Sequence, residues 1–336
     1  MRHVLVTGVG RPLPALLAAH LASTLPDAEV VGCDLSPFEP VDRHHRRADA
    51  VAGARGFEFV RADTRNPSIA TVLRDHEIDT VVHFGAPACG DAVFADTAPG
   101  PLAKELTVIG TMQLLAAASR HEPLHRLIVG SSAVVYPSTY RSPALADEKT
   151  VVTVRGTARM PDVLELESYA HQFADKRRDV DVSVLRLSDV VGPGLRGSLG
   201  RVLRRSIAPM VAGFDPRVQL LHVVDAVAAV ADVLTSGTTG TLNVAPDDVL
   251  LWSHLVRLAG RWPVPLPAVL VPEQLRSLLR FGNAVDNDKL RRSSGWSPKY
   301  GSAEALDAWS GGPGGSSTSA GSSGLRDPRG GVVSGG

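Results

Sequence analysis

Short apolar runs that end in glycine or a carboxylate alternate along this chain with longer stretches in which apolar side chains recur every three or four positions. Val4-Leu5-Val6 predicts a buried strand, followed after a glycine turn by a helix from about Ala15 to Leu25. Glu29 to Asp34, Phe57 to Asp63, Thr80 to Ala86 and Arg126 to Ser132 read as four further strands. Between them lie a short helix from Ile69 to Arg74 and a longer one from Leu102 to Arg120, in which Leu102, Leu106, Ile109, Met112 and Leu115 keep helical spacing. Another helix is expected from about Asp162 to Arg177. Strands and helices alternating at this pitch specify an α/β fold built on a doubly wound parallel sheet.

The first turn carries candidate chemistry. A strand that feeds a helix through glycines lets backbone N–H groups at the helix N-terminus hold a pyrophosphate where side chains would block it, the Rossmann arrangement. A Thr-Gly-x-x-Gly-x-x-Gly turn counted from Thr7 places glycine at 8, 11 and 14; here only Gly8 fits, Arg11 and Pro14 hold the other two places, and Gly10 is one residue out of register. Arg11 could reach a phosphate bidentately, or it is a solvent-facing arginine at a helix start; the turn itself could be an ordinary tight one. Asp34 ends the second strand roughly 20 residues on, placed to accept hydrogen bonds from a ribose and so to favour NAD over NADP. Arg43-His44-His45-Arg46-Arg47 together with Arg11 keeps NADP open, since any of these could meet a 2′-phosphate. Asp63 could take an adenine amino group, and Gly85 and Ala86 are small enough to let a dinucleotide lie against the backbone.

Composition narrows the class. With 336 residues and 44% hydrophobic content the chain can bury a core in one large domain or in a large and a small one. Lys plus Arg and Asp plus Glu both number 35, which supplies no global basic face for nucleic acid or an anionic membrane. The cysteines, Cys33 and Cys89, are too few and too far apart for a disulfide framework or a metal motif. A strand begins within three residues of Met1 and no apolar run reaches membrane-span length, so neither leader nor span is expected and the expected location is the cytoplasm. From Gly311 onward Gly, Ser and Pro dominate, and residues 311–336 are expected to form a disordered tail.

Several blocks, in order, carry a family likeness: Thr7-Gly8, Asp34, Asp63, Val81-Val82-His83-Phe84-Gly85-Ala86, Gly110-Thr111-x-Gln113-Leu114-Leu115, Ser131-Ser132-x-x-Val135-Tyr136, and Leu185-Arg186-x-x-Asp189-Val190-Val191-Gly192-Pro193-Gly194. Leu221-His222-Val223-Val224-Asp225-Ala226, Leu242-Asn243-Val244-Ala245 and Gly295-Trp296-Ser297-Pro298 continue it. The chain resembles the extended short-chain dehydrogenases/reductases, in their NAD-dependent epimerase/dehydratase branch, and most closely the actinobacterial proteins that are UDP-glucose 4-epimerase-like. The resemblance implies a Rossmann domain over 1–194 to which 215–245 returns, a smaller C-terminal region over 195–310 that closes on a substrate, NAD or NADP as cofactor, a nucleotide sugar or related hydroxyl/carbonyl compound as substrate, and a homodimer formed through the 102–120 and 162–177 helices. His222 and Asp225 are implied at a strand-to-helix junction, with Asp225 a candidate cap. Arg196, Arg201, Arg204, Arg205 and Arg217 could hold a nucleotide diphosphate or simply line a solvated face.

The family's chemistry implies a Ser or Thr hydroxyl, a Tyr, and a Lys four residues after it that lowers the tyrosine pKa. Ser132 matches the hydroxyl. The family's usual distance from Leu185-Arg186 puts the Tyr place at Met160 and the Lys place at Leu164, and no Tyr-x-x-x-Lys occurs anywhere in the sequence. Tyr136 and Tyr169 are the candidate substitute bases; Lys176 lies two helical turns from Tyr169, roughly 10 Å away, too far to tune it. Thr107 stands where the family commonly has Asn. Two functions follow: an epimerase, dehydratase or reductase with an atypical site, or a non-catalytic dinucleotide-binding sensor, scaffold or partner subunit.

Overall fold

The structure, a computed structural model, describes residues 1–37, 56–85, 101–152, 161–192, 195, 203, 206–271 and 273–310. The 43–47 cluster, Ala86, Cys89, Met160, Arg196, Arg201, Arg204, Arg205 and the 311–336 tail lie outside the described residues.

Seven strands form one parallel sheet: β1 (His3–Thr7), β2 (Glu29–Asp34), β3 (Phe57–Arg61), β4 (Thr80–His83), β5 (Arg126–Ser132), β6 (Asp181–Leu187) and β7 (Gly240–Val244), ordered β7-β6-β5-β4-β1-β2-β3. The order reverses between β1 and β4, and such a switch point opens a crevice at the carboxyl ends of the strands. All of β4 and β5 is buried, as their near-continuous apolar runs require of strands covered on both faces.

Helix α1 (Pro12–Thr24) packs with α5 (Val223–Ser236), while α2 (Ile69–Asp75), α3 (Pro101–Ala118) and α4 (Pro161–Lys176) pack in succession. Helix α1 begins three residues before the expected Ala15. Its first helical residue is Pro12, where the missing N–H is one that a helix start leaves unbonded anyway and the ring presets φ.

Beyond β6 the chain leaves the sheet. Asp189–Val191 pairs in parallel with Leu220–His222, Ile207–Val211 pairs in parallel with Trp262–Leu266, and Arg217–Val218 runs antiparallel to Leu250–Leu251. Helix α5 is capped by His222, whose Nδ1 accepts from Val224 N–H at 3.2 Å. Asp225, fully buried, takes the backbone N–H groups of Lys299 (3.1 Å) and Tyr300 (2.9 Å). The expected capping aspartate therefore ties α5 to the far end of the chain rather than closing its own helix.

Candidate active site

At the carboxyl ends of β1, β2 and β4 lies a small open cleft of about 140 Å³, lined by Thr7, Gly8, Arg11, Asp34, His83 and Gly85 together with Leu35, Ala62, Thr64 and Leu106. Gly8 has φ +83°, and a Cβ there would stand 2.7 Å from Phe84 O, so both the conformation and the space require glycine. Its N–H reaches Cys33 O at 2.9 Å, drawing the turn onto β2. Gly10, out of register for a phosphate motif, serves Asp34 instead. Its N–H donates to Asp34 Oδ2 at 3.0 Å while Leu35 N–H donates to Asp34 Oδ1 at 2.7 Å. Asp34 is thus fixed at the cleft edge by two backbone donors. Arg11 folds back over Gly8 and its Nη2 donates to Phe84 O.

His83 lies under the cleft, fully buried, with Nδ1 2.7 Å from Thr7 Oγ1 and Nε2 2.9 Å from Thr111 Oγ1. Thr111 donates its hydroxyl hydrogen to Thr107 O at 2.5 Å, so Nε2 is the protonated nitrogen and Nδ1 accepts from Thr7. Burial, aided by the Arg11 charge, pushes His83 down to about 3, which keeps the imidazole neutral. Thr107, in the place of the family's asparagine, therefore anchors this chain through its main-chain carbonyl.

Asp63 is not among the residues lining the cleft. Its carboxylate grips Arg65, with Nε at 3.0 and 3.1 Å and Nη2 at 2.7 Å, and Arg65 Nη1 continues to Glu105 at 2.7 Å. The Arg65 hydrogen bonds hold the Asp63 carboxyl below its usual range. In this position Asp63 braces the loop that presents Ala62 and Thr64.

Ser132 closes β5, buried, with its hydroxyl accepting from Val134 N–H at 3.4 Å and lying 3.5 Å from Leu187 O. Four residues on, Tyr136 is buried in the core. Its hydroxyl donates to Asn243 Oδ1 at 2.8 Å and accepts from Arg186 Nη1 at 2.9 Å. Burial pushes the phenol up in spite of Arg186. Tyr169 sits half-buried on α4 with its hydroxyl 3.3 Å from Glu165 Oε1; burial and then the Glu165 charge raise it as well. Leu164 is half-buried against the core, and the residue on the inward face at that level is Val163, 1% exposed and one turn before the buried Glu167. At either of these neighbouring positions the side chain is apolar.

Sequence reasoning uses Arg186 only as a family landmark and passes over Glu167. They form a buried ion pair, with Ser131 Oγ also on Glu167 at 2.5 Å. From Arg186 the network runs through Tyr136 to Asn243, whose Nδ2 reaches Ala146 O at 3.1 Å and Asp286 O at 3.0 Å. A signal did exist: Arg186 interrupts the apolar strand Val182 to Leu187, and Glu167 shares the inward stripe of Val163, Leu166, Ala170 and Phe173. Charged residues in such places must be paired.

The sequence matches the NAD dependent epimerase/dehydratase family over residues 4–245. The chain belongs to that family. An uncharacterized protein of Mycobacterium tuberculosis is 35% identical over 322 residues, spanning 90% of this chain and 82% of the relative. A 3-diazoavenalumate denitrifying reductase from Streptomyces sp. is 30% identical over 226 residues, 62% of this chain and 69% of the enzyme. In fold, the chain is similar to UDP-glucuronic acid 4-epimerase from Bacillus cereus, crystallised with UDP-glucuronic acid and NAD: TM-score 0.71, 19% identity, with 91% of this chain and 97% of that chain covered. Among the described residues no helix is long and apolar enough to cross a membrane, and no group of three or more His, Cys, Asp or Glu is placed to hold a metal.

The family's dinucleotide fits one end of the cleft well. Asp34 presents a fixed carboxylate there, beside the Gly8 turn, whose Cβ-free face is taken by the Arg11 guanidinium. At the glycine turn itself the donor set is altered: Pro12 and Pro14 carry no N–H, and a guanidinium stands on the face of Gly8. A guanidinium is itself a phosphate ligand, so the chemistry remains suited to the group.

Proposed function

We propose that the protein binds NAD at the carboxyl ends of β1, β2 and β4 and acts on a hydroxyl or carbonyl compound of the nucleotide-sugar kind, without the tyrosine–lysine pair usual in the family. The observation that supports this reading is Asp34, fixed at the cleft edge by two backbone donors beside the Gly8 turn. Asp34 accepts the ribose hydroxyls, and its negative charge disfavours a 2′-phosphate, which is the basis for NAD over NADP. Neutral His83 orients Thr7 at the floor of the cleft. NAD, when bound, supplies the hydride chemistry. Ser132 stands at the family's hydroxyl position, buried and outside the lining of the cleft, so its use on a substrate oxygen requires it to be uncovered, and no amine on the inward face of α4 tunes a phenol.

A second reading is a non-catalytic dinucleotide-binding sensor, scaffold or partner subunit. It is favoured by the two core hydrogen bonds of Tyr136 and the apolar Val163 and Leu164. Calorimetry with NAD and NADP, then turnover of UDP-glucose and UDP-galactose by wild type and Ser132→Ala, separates the two. Turnover that Ser132→Ala abolishes supports the enzyme; tight NAD binding with no turnover of any sugar nucleotide supports the binding protein. Failure to bind either cofactor rejects both.

A further inference from the structure

We propose that the Arg11 guanidinium is the pyrophosphate ligand of this cleft, a side chain doing what main-chain N–H groups do at an ordinary glycine turn. The inference rests on the reading above that a dinucleotide enters the cleft.

The backbone donors of the turn can be followed one by one. Over positions 8–15, Gly8 N–H goes to Cys33 O, Gly10 N–H to Asp34, Arg11 N–H to Gly8 O and Ala15 N–H to Arg11 O. Pro12 and Pro14 have none. That leaves only Val9 and Leu13, and Leu13 alone of the first three helical residues has an N–H to present. A helix start normally offers three or four such groups to an anion. Here the helix keeps its dipole and loses most of its donors.

The side chain that replaces a glycine at this point puts a cation where those donors would have acted. Arg11 does not extend into solvent from the start of α1. It turns back across Gly8 and bonds Phe84 O, at the gap between the ends of β1 and β4 where the strand order reverses. Gly8 has no Cβ, which is what lets the guanidinium lie there. The planar fork offers up to five N–H donors and pairs with two phosphate oxygens at once, and it stays charged at any physiological pH. Asp34, at the other side of the turn, is held in place by Gly10 and Leu35 N–H. The result is a charge-separated cleft with a carboxylate for the ribose and a guanidinium for the phosphates.

Three consequences distinguish this from a backbone site. Affinity depends on phosphate content, it falls steeply with salt, and lysine, a point charge without the fork, replaces arginine only in part. The test is calorimetry on the full chain with NAD, ADP and adenosine, using wild type, Arg11→Met, Arg11→Lys and the double variant Arg11→Gly/Pro14→Gly. Arg11→Met is expected to weaken NAD and ADP binding roughly 10- to 100-fold, the loss of one or two charge-assisted hydrogen bonds, and to leave adenosine unchanged. Arg11→Lys is expected to fall between, and the double variant to regain affinity with a shallower salt dependence. Unchanged adenosine binding also reports that the Arg11→Met cleft is folded. If Arg11→Met binds ADP as tightly as wild type, or more tightly because the guanidinium covers the site, the proposal is overturned while the cofactor reading stands. Wild type that binds neither NAD nor ADP overturns both.

Discussion

Arg186 meets Glu167 through two parallel hydrogen bonds, Nε to Oε1 at 2.9 Å and Nη2 to Oε2 at 2.7 Å, with both side chains buried. The pair joins β6 to α4, and through Tyr136 and Asn243 it reaches the segments that carry Ala146 and Asp286. Removing one member leaves the other charged and desolvated. Glu167→Ala is expected to lower unfolding free energy by about 3–5 kcal/mol, and the double change Glu167→Leu/Arg186→Met by much less, because two apolar groups need no partner. Urea denaturation followed by circular dichroism measures both; equal losses would reject a buried ion pair as the cause.

His83 gives stability a pH signature. Its folded pKa of about 3 lies below the usual 6.5, so the unfolded chain binds the proton more readily. The contribution is fully present above pH 6.5 and is lost as the pH falls from there towards 3. Between pH 7 and pH 5 the loss from this group is about 2 kcal/mol. Carboxylates titrate mostly below this interval, so urea midpoints at the two pH values are expected to differ less in His83→Asn than in wild type. An identical pH dependence in the two proteins would mean that His83 is not held neutral.

Much of the fold is legible in the sequence because buried parallel strands must be apolar and amphipathic helices must keep one apolar stripe. Glu29–Asp34 and the 69–75 and 161–176 helices appear where the pattern predicts them, to within a residue or so. The parallel sheet follows from the same alternation, which picks out five of its strands; Asp181–Leu187 and Gly240–Val244 complete the seven. Other ends differ more: helix α1 starts three residues early because its prolines mask a start that only cap geometry reveals, and the strands expected to run to Asp63 and Ala86 end at Arg61 and His83. At the site, Gly8 and Asp34 are readable because each answers a local demand, a positive φ in one case and a strand end in the other. The Glu167–Arg186–Tyr136–Asn243 network is harder to read, being a pairing of residues far apart in the chain. A lone charge in an apolar stripe shows that a partner exists without saying which one.

Asp34 is held by two backbone donors and faces the cleft. Asp34→Ala is expected to weaken NAD binding about tenfold and to narrow the preference over NADP, through loss of the ribose contact and of the repulsion of a 2′-phosphate. Side-by-side calorimetry with the two cofactors checks it. An undiminished preference for NAD would place the discrimination elsewhere.

Helix α3 leaves Ile109 and Met112 about 40% exposed, three positions apart on one face and next to α4. A second copy of the chain is the expected cover, as the family resemblance implies. Light scattering is expected to report a dimer for wild type and a monomer for Ile109→Lys/Met112→Lys. A wild-type monomer would leave this face without that role.

The seventh strand adds a constraint on how the chain can be made. β7 is supplied by residues 240–244, after the chain has left the sheet at residue 187 and built the paired strands between. Asn243 on that strand is also the acceptor for Tyr136, and Asp225 fastens the segment at 299–300. During synthesis the first six strands can assemble, but Tyr136 beside Arg186 lacks its acceptor and one edge of β6 stays open until these later residues emerge. The seven-stranded sheet is therefore complete only once residue 244 has joined it, with the paired strands after residue 187 already made.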